Sequence, residues 1–136
     1  MLKRSRTTRF SRDNHASYRR TDAFDFRALR IHRALDTALP WAGADPEWTR
    51  IADLGDTEVG VYDIRRLGPT RFRLVGLRVH EDFRGRGIGR WLLRHAIGTA
   101  ESSGAREIEA PATGSFFQHH GFRRDAEVLR LTLTPE

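Results

Sequence analysis

The amino-acid sequence predicts a mixed α/β fold, with a mostly antiparallel central sheet flanked by helices. Three strand-like runs, at 48–54, 59–67 and 71–79, follow one another through tight connections and indicate an antiparallel meander. Apolar residues after position 87 recur with helical spacing instead, and shorter strand-like runs follow them. This alternation is typical of one mixed sheet with helices packed on its faces.

The first element is predicted to be a helix. Its apolar residues recur at steps of four, three, four and three, which places them on one helix face. They are Phe24, Ala28, Ile31, Leu35 and Ala38. Pro40 ends this helix, and residues 42–47 form a loop.

The third strand changes its apolar phase. Phe72 and Leu74 share one face of an ideal strand, whereas Val75, Leu77 and Val79 lie on the other. A slip of one residue is what a β-bulge produces, although a strand buried on both faces has a similar pattern.

The remaining elements are shorter. A second helix begins near Ile88 and is capped by Gly104. A short strand at 106–110 and a short helix at 114–120 follow it. The end of the chain, with an alternating strand at 128–134, leaves room only for a very tight hairpin, unless one strand is missing or a partner chain in a homodimer completes the sheet.

Charge is distributed unevenly along the 136 residues. The first 20 residues hold seven basic side chains and one acidic one, which accounts for the whole net charge of +6. We predict a disordered basic tail at 1–20, with a nucleic-acid- or phosphate-binding arm as the alternative, and a single domain at 21–136. The neutral body argues against nucleic acid as the partner.

Several classes of site are excluded or not expected. The chain has no cysteine, so disulfides, thiolate metal sites and a cysteine nucleophile are excluded, and we predict no metal site. No apolar run approaches the roughly 20 residues that a membrane-spanning helix needs. We expect a cytoplasmic protein without a membrane partner.

The loop between the third strand and the second helix has the composition of an anion site. Its glycines allow close backbone approach, and the N–H groups at a helix start lack acceptors within the helix. Such an end binds phosphate or pyrophosphate, and arginines add charge-assisted contacts. The loop residues concerned are Arg84, Gly85, Arg86, Gly87, Ile88, Gly89 and Arg90. A Walker loop and a GxGxxG fingerprint are both absent, because the spacing here is GxGxG.

This loop and the segments on either side of it resemble those of the GNAT superfamily of N-acetyltransferases. Residues 84–89 match that family's (Q/R)xxGx(G/A) acetyl-CoA signature, and the phase slip lies on the strand that carries a bulge in the family. The segment "SFFQHHGF" is similar to the family's "FYxxxGF", with Gly121 and Phe122 in register. The resemblance covers about residues 57–122 and implies the family's sheet, with a bulged, splayed strand pair.

The resemblance also implies a cofactor site. Backbone groups of Leu77, Arg78 and Val79 would hold the pantetheine arm of acetyl-CoA, and residues 84–90 would hold the pyrophosphate. The N–H of Leu77 or Arg78 would then donate to the carbonyl oxygen of the acetyl group.

The catalytic residues depart from the family pattern. The usual acid is a tyrosine, and Phe117 stands at its position, so Ser115, His119, a water or the substrate ammonium would have to supply the proton. No glutamate lies on 71–79, where many relatives place a base. Glu109 is the first candidate base and Asp63 the second, unless each is a surface carboxylate paired with arginine.

The resulting functional hypothesis is direct transfer of acetyl from acetyl-CoA to a primary amine. The acceptor is a small molecule, such as an amino acid or a polyamine, or a peptide amine. The alternative is a degenerate acyl-CoA-binding regulatory module, which Phe117 and the missing glutamate motivate. On the acceptor side, Trp41 and Trp48 line the pocket or anchor the core. Arg73 and Arg78 meet a carboxylate or lie on a solvated face.

Overall fold

The computed structural model describes residues 25–34 and 40–133. In these ranges seven strands form one sheet, in the order β1-β2-β3-β4-β5-β7-β6. All neighbouring strands are antiparallel except β4 and β5, which are parallel. The strands are β1 (Leu29–Arg33), β2 (Thr49–Leu54), β3 (Thr57–Arg66), β4 (Arg71–Val79), β5 (Glu107–Pro111), β6 (Arg123–Asp125) and β7 (Val128–Thr132).

One α-helix, α1 (Ile88–Ser102), is present in the described ranges and packs on one face of the sheet, which we call the helix face. Its buried residues are Ile88, Leu92, Leu93, Ala96 and Ala100. The helix approaches β3 closely at Gly60, where an added Cβ would lie 2.6 Å from Leu92 Cδ1. Short 3₁₀ helices occur at Phe26–Ala28, Glu81–Phe83 and Gln118–His120.

The segment 40–48 covers part of the opposite face of the sheet, which we call the second face. Trp41 lies against β4 at Gly76, where an added Cβ would be 2.9 Å from Trp41 Cζ2. The indole Nε1 donates a hydrogen bond of 3.0 Å to Asp63 Oδ2. Trp48, at the end of the segment, packs instead against Phe72 of the helix-face core, edge-on at a centroid distance of 5.4 Å. Both tryptophans therefore anchor this segment to the sheet.

The meander and the bulge are confirmed. In the ladder between β3 and β4, Ile64 pairs with Leu74 and Asp63 pairs with Gly76, so Val75 has no partner. The extra residue is the physical cause of the phase slip in the sequence, because a bulge restarts the alternation of side chains.

The prediction of a first helix is wrong for residues 29–33, which form β1. Leu29 is buried and pairs with Leu54, and the strand continues along β2 to the pair of Arg33 with Arg50. Strand pairing supplies the backbone hydrogen bonds that a short helix with three arginines would have to supply alone. Phe24, Leu35 and Ala38 of that predicted helix lie outside the described residues, as does the predicted tail at 1–20.

The chain end forms the tight hairpin. Asp125 pairs with Val128, which leaves only Ala126 and Glu127 as the connection, and Ala126 has a φ of 59°. Gly104, with a φ of 101°, ends α1 as expected, and its N–H donates to Glu101 O. The described residues contain no helix that is both long enough and apolar enough to cross a membrane.

Candidate active site

The sheet forks between β4 and β5. The two strands pair only from Arg71 with Glu107 to Arg73 with Glu109. Beyond Arg73 the edge of β4 that faces away from β3 has no strand partner in the described chain. Its backbone N–H and C=O groups need hydrogen-bond partners from elsewhere.

The hydrogen bond at the end of β4 identifies which groups point into the fork. His80 N–H donates to Val59 O at 2.7 Å, so His80 faces β3. The backbone N–H and C=O groups of successive residues in a strand point to opposite edges. Those of Arg78 therefore also point toward β3, whereas those of Leu77 and Val79 point into the fork. The Val79 carbonyl accepts from Arg84 Nε at 3.0 Å, which agrees with this direction.

The turn after β4 is held by one buried aromatic ring. Phe83 is fully buried in the 3₁₀ helix that links β4 to the arginine-glycine loop. His80 caps this helix, since its Nδ1 accepts from Asp82 N–H at 3.2 Å. The buried ring of Phe83 therefore anchors the start of the loop in the core, close to the end of β4.

The loop ends in an uncapped helix start. Gly85 and Gly87 have φ values of 79° and 90°, a region that favours glycine. Gly87 is the N-cap of α1 and provides no side-chain acceptor. The N–H groups of the first turn therefore point out of the helix, where the helix dipole also favours an anion.

A cleft of about 650 Å³ joins the fork to the helix start. Nine of the ten residues predicted to bind the cofactor line it, and Arg86 is the exception. The nine are Leu77, Arg78, Val79, Arg84, Gly85, Gly87, Ile88, Gly89 and Arg90. An added Cβ at Gly89 would lie 3.5 Å from the Phe116 ring and 3.7 Å from Val79 Cγ2, so this position faces the cleft. The shape, the glycines and the arginines fit a pyrophosphate with an extended arm.

Aromatic residues form the wall opposite the helix start. Phe116, Phe117 and His120 line the cleft, and Phe117 also packs on Phe122 at 5.5 Å. Phe117 has no proton to donate. Burial lowers the pKa of the His120 imidazole, and nearby cationic side chains lower it further. The shift favours the neutral form of the imidazole.

Glu109, the first candidate base, lies outside this cleft. It is 5% exposed on the second face of the sheet. Arg73 Nε donates to Oε1 at 3.0 Å, and Arg71 Nη2 donates to Oε2 at 3.2 Å. Burial alone would raise the pKa of Glu109, but the hydrogen bond and charge of Arg73, with the charges of Arg130 and Arg71, outweigh it and lower the pKa.

The other candidates are also engaged or distant. Asp63 is fully buried, and it accepts from Trp41 and from Arg65, whose Nη2 lies 2.9 Å from Oδ2. Ser115 is exposed and does not line the cleft; its carbonyl accepts from His119 Nδ1 at 2.8 Å. The structure thus gathers the cofactor residues and leaves the candidate acids and bases outside the cleft.

Three lining residues were missed by sequence reasoning: Phe83, Phe116 and His120. Phe83 was not singled out, although it is the one apolar residue between β4 and the first glycine of the loop. Phe116 was noted only as part of the "FF" pair, and the contact that places its ring against Gly89 joins residues 27 positions apart. The first had a local signal, and the second had none.

A sheet that forks beside an anion-binding helix start is the arrangement that the resemblance implies for an acetyl-CoA-dependent acyltransferase. Residues 46–124 match the family model described as an acetyltransferase (GNAT) domain. This is more than half of the chain, and the protein belongs to the GNAT acetyltransferase family. No curated protein sequence matches the chain.

Solved structures show the same fold at low identity. A GNAT family acetyltransferase from Elizabethkingia anophelis with acetyl-CoA bound is 18% identical, with a TM-score of 0.65 over 78% of this chain and 99% of that one. An IAA acetyltransferase from Bacillus cereus is 24% identical, with a TM-score of 0.63 over 77% and 98%. N-acetylglutamate synthase from Neisseria gonorrhoeae, complexed with coenzyme A and N-acetyl-glutamate, is 16% identical, with a TM-score of 0.68 over 85% of this chain and 36% of that one.

Proposed function

We propose that the protein is an N-acetyltransferase that moves acetyl from acetyl-CoA directly to a primary amine. The observation that carries the proposal is the open edge of β4. It starts beside the bulge at Val75 and ends at an uncapped helix start. An extended thioester with a pyrophosphate at its far end matches both features. Two solved structures of this fold are described as complexes with acetyl-CoA or coenzyme A.

The backbone direction assigns the groups that would contact the cofactor. Val79 and Leu77 point into the fork, so their N–H groups would meet the pantetheine arm and the acetyl carbonyl. We assign the oxyanion contact to Leu77 rather than Arg78, because the Arg78 N–H points toward β3. A hydrogen bond at this position strengthens as negative charge develops on the carbonyl oxygen.

Proton transfer would require little from the protein. The amine attacks the thioester carbon as the free base, and the tetrahedral intermediate collapses with loss of the CoA thiolate. A thiol titrates near about 8.5, so this leaving group needs less protonation than an alkoxide. Both candidate carboxylates are held by arginine, and we propose that the acceptor loses its proton to solvent. The proton released from the attacking nitrogen then protonates the thiolate or passes to water.

The decisive experiment measures CoA release from acetyl-CoA with a panel of amines, beside calorimetric binding of acetyl-CoA. We expect turnover with at least one amine. We also expect the apparent pKa of the kcat/KM profile to follow the pKa of the amine used, because the proposal leaves deprotonation of the acceptor to solvent rather than to Glu109, Asp63 or the imidazole of His120. A pKa that stays constant across amines would contradict solvent deprotonation.

The degenerate acyl-CoA-binding module remains the alternative that Phe117 favours, because this side chain replaces a proton donor. Binding of acetyl-CoA without turnover on any amine would support the module. Restoring the hydroxyl with Phe117→Tyr provides a second arm. A large gain in kcat in that variant would show that loss of the acid limits the natural chain.

A further inference from the structure

A second, smaller cavity opens where β4 and β5 separate. It has a volume of about 260 Å³ and lies beside the bulge residue Val75. Its walls are mostly apolar, with one charged residue, and its lining residues are Arg73, Leu74, Val75, Ala110, Pro111 and Val128. Glu109 and Arg130 pair with each other and lie on the second face. Pro111 and Val128, two residues further along each strand, lie on the same face, so the cavity opens there, across the fork from α1. An amine that entered here would reach the bulge of β4 without passing the residues that line the cofactor cleft.

The carboxylates near this cavity are already committed. Glu109 is bound by Arg73 and Arg71, and Glu107 is bound by Arg71 at 3.0 Å and by Arg130 at 2.8 Å. Asp63, on the same face of β3, accepts from Trp41 and Arg65. None of these three carboxylates is left to recognise a second positive charge, so a cation placed beside them would meet repulsion from their arginines.

The cations on this face are less fully paired. Arg73 contacts Glu109 through Nε and Nη2, and half of its side chain remains exposed. Arg78 is exposed, with its guanidinium 5.3 Å from the centre of the Trp41 ring. No described carboxylate lies within ion-pair distance of it, and the ring leaves its N–H edges open. The two arginines lie on either side of Gly76 along β4.

We propose that the acceptor is an amine that also carries a carboxylate, of the amino-acid class. Arg78 and the open edge of Arg73 bind the carboxylate, and the amine lies in the cavity beside the exposed Val75, toward the open N–H of Leu77. The Trp41 ring fixes the Arg78 guanidinium, which lowers the cost of ordering it. This proposal rests on the proposed acetyl transfer and names its substrate class.

The first test compares each amino acid with its carboxamide, which keeps the amine and removes the charge. The carboxamide amine has the lower pKa, so unassisted chemistry favours the amide. We expect kcat/KM to be about tenfold or more higher for the free acid. An equal or higher value for the amide, or for spermidine, would overturn the substrate class while leaving acetyl transfer intact. Absence of turnover with every amine would overturn the transferase itself.

The second test uses Arg78→Gln, which retains the stem and removes the charge. We expect the ratio of kcat/KM for acid over amide to fall about 10- to 100-fold, the range of a charge-assisted contact. The ratio cancels any effect of the change on acetyl-CoA binding. Arg124→Gln, at an exposed arginine of β6, is the matched control, and its ratio should equal that of the natural chain. An unchanged ratio in Arg78→Gln would overturn the assignment.

Discussion

Glu109 shows how a catalytic candidate chosen from sequence acquires another role from its contacts. Its side chain is almost fully buried, yet three arginines from β4 and β7 surround it. A buried carboxylate with such partners stays ionised and is a poor proton acceptor. Its contacts connect the last paired position of the fork to β7, so they hold together the half of the sheet beyond β4.

We predict that Glu109→Gln destabilises the protein by about 1 to 3 kcal/mol at pH 7, because three guanidinium groups lose a shared anion. The folded-state pKa of Glu109 lies below its unfolded value. This contribution is therefore present above about pH 4.5 and is lost as pH falls through the folded pKa. Urea unfolding at pH 7 and pH 3.5 should show a smaller difference between variant and natural chain at the lower pH.

Glu101→Gln, at an exposed residue of α1, is the control for this experiment and should change stability by less than about 0.5 kcal/mol. The same variants test the base hypothesis. We expect Glu109→Gln to keep the pH profile of kcat/KM. Loss of an ionisation from that profile would identify Glu109 as the base.

At the scale of elements, α1 contains two glycines in different surroundings. Gly89 faces Phe116 and Val79 across the cofactor cleft, whereas an added Cβ at Gly98 would meet no atom within 4 Å. Neither residue has the positive φ that makes substitution costly. The pair therefore separates an effect on the cleft from an effect on the helix.

We predict that Gly89→Val weakens acetyl-CoA binding about tenfold or more, because the added methyl groups fill the cleft between Phe116 and Val79. Gly98→Val should bind acetyl-CoA like the natural chain. Both variants should be at least as stable as the natural chain, since valine has a better helix propensity than glycine. Isothermal titration and thermal unfolding provide the two readouts, and unchanged binding in Gly89→Val would contradict the location of the cofactor.

The elements were predictable where a local pattern had one physical cause. The phase slip in β4 predicted the bulge because side chains alternate strictly in a strand. The helical spacing around Ile31 predicted a helix that does not form there, because the pairing of β1 with β2 joins residues about 20 positions apart. The cofactor loop is contiguous, and its function follows from its own glycines and arginines. The contacts of Glu109 with Arg73 and Arg71 span 36 and 38 positions, and no local pattern reveals them.

At the scale of the whole molecule, the charge of the chain lies in the first 20 residues, and the remainder is balanced. The proposed cofactor site contains none of those residues. We therefore predict that deleting residues 1–20 leaves acetyl-CoA affinity within about twofold of the full chain. Calorimetry on both forms checks this, with nucleic-acid binding measured at low and high salt. A large loss of affinity for acetyl-CoA would instead assign the segment a part in the cofactor site.

The unpaired residue Val75 restricts how the length of β4 can vary. Removing one residue beyond the bulge would turn every later N–H to the opposite edge, so Leu77 would bond to β3 and Arg78 would face the fork. Changes of length by two residues would preserve these directions. Insertions and deletions that keep the chemistry should therefore come in even numbers along this strand, or fall in the turns that flank it.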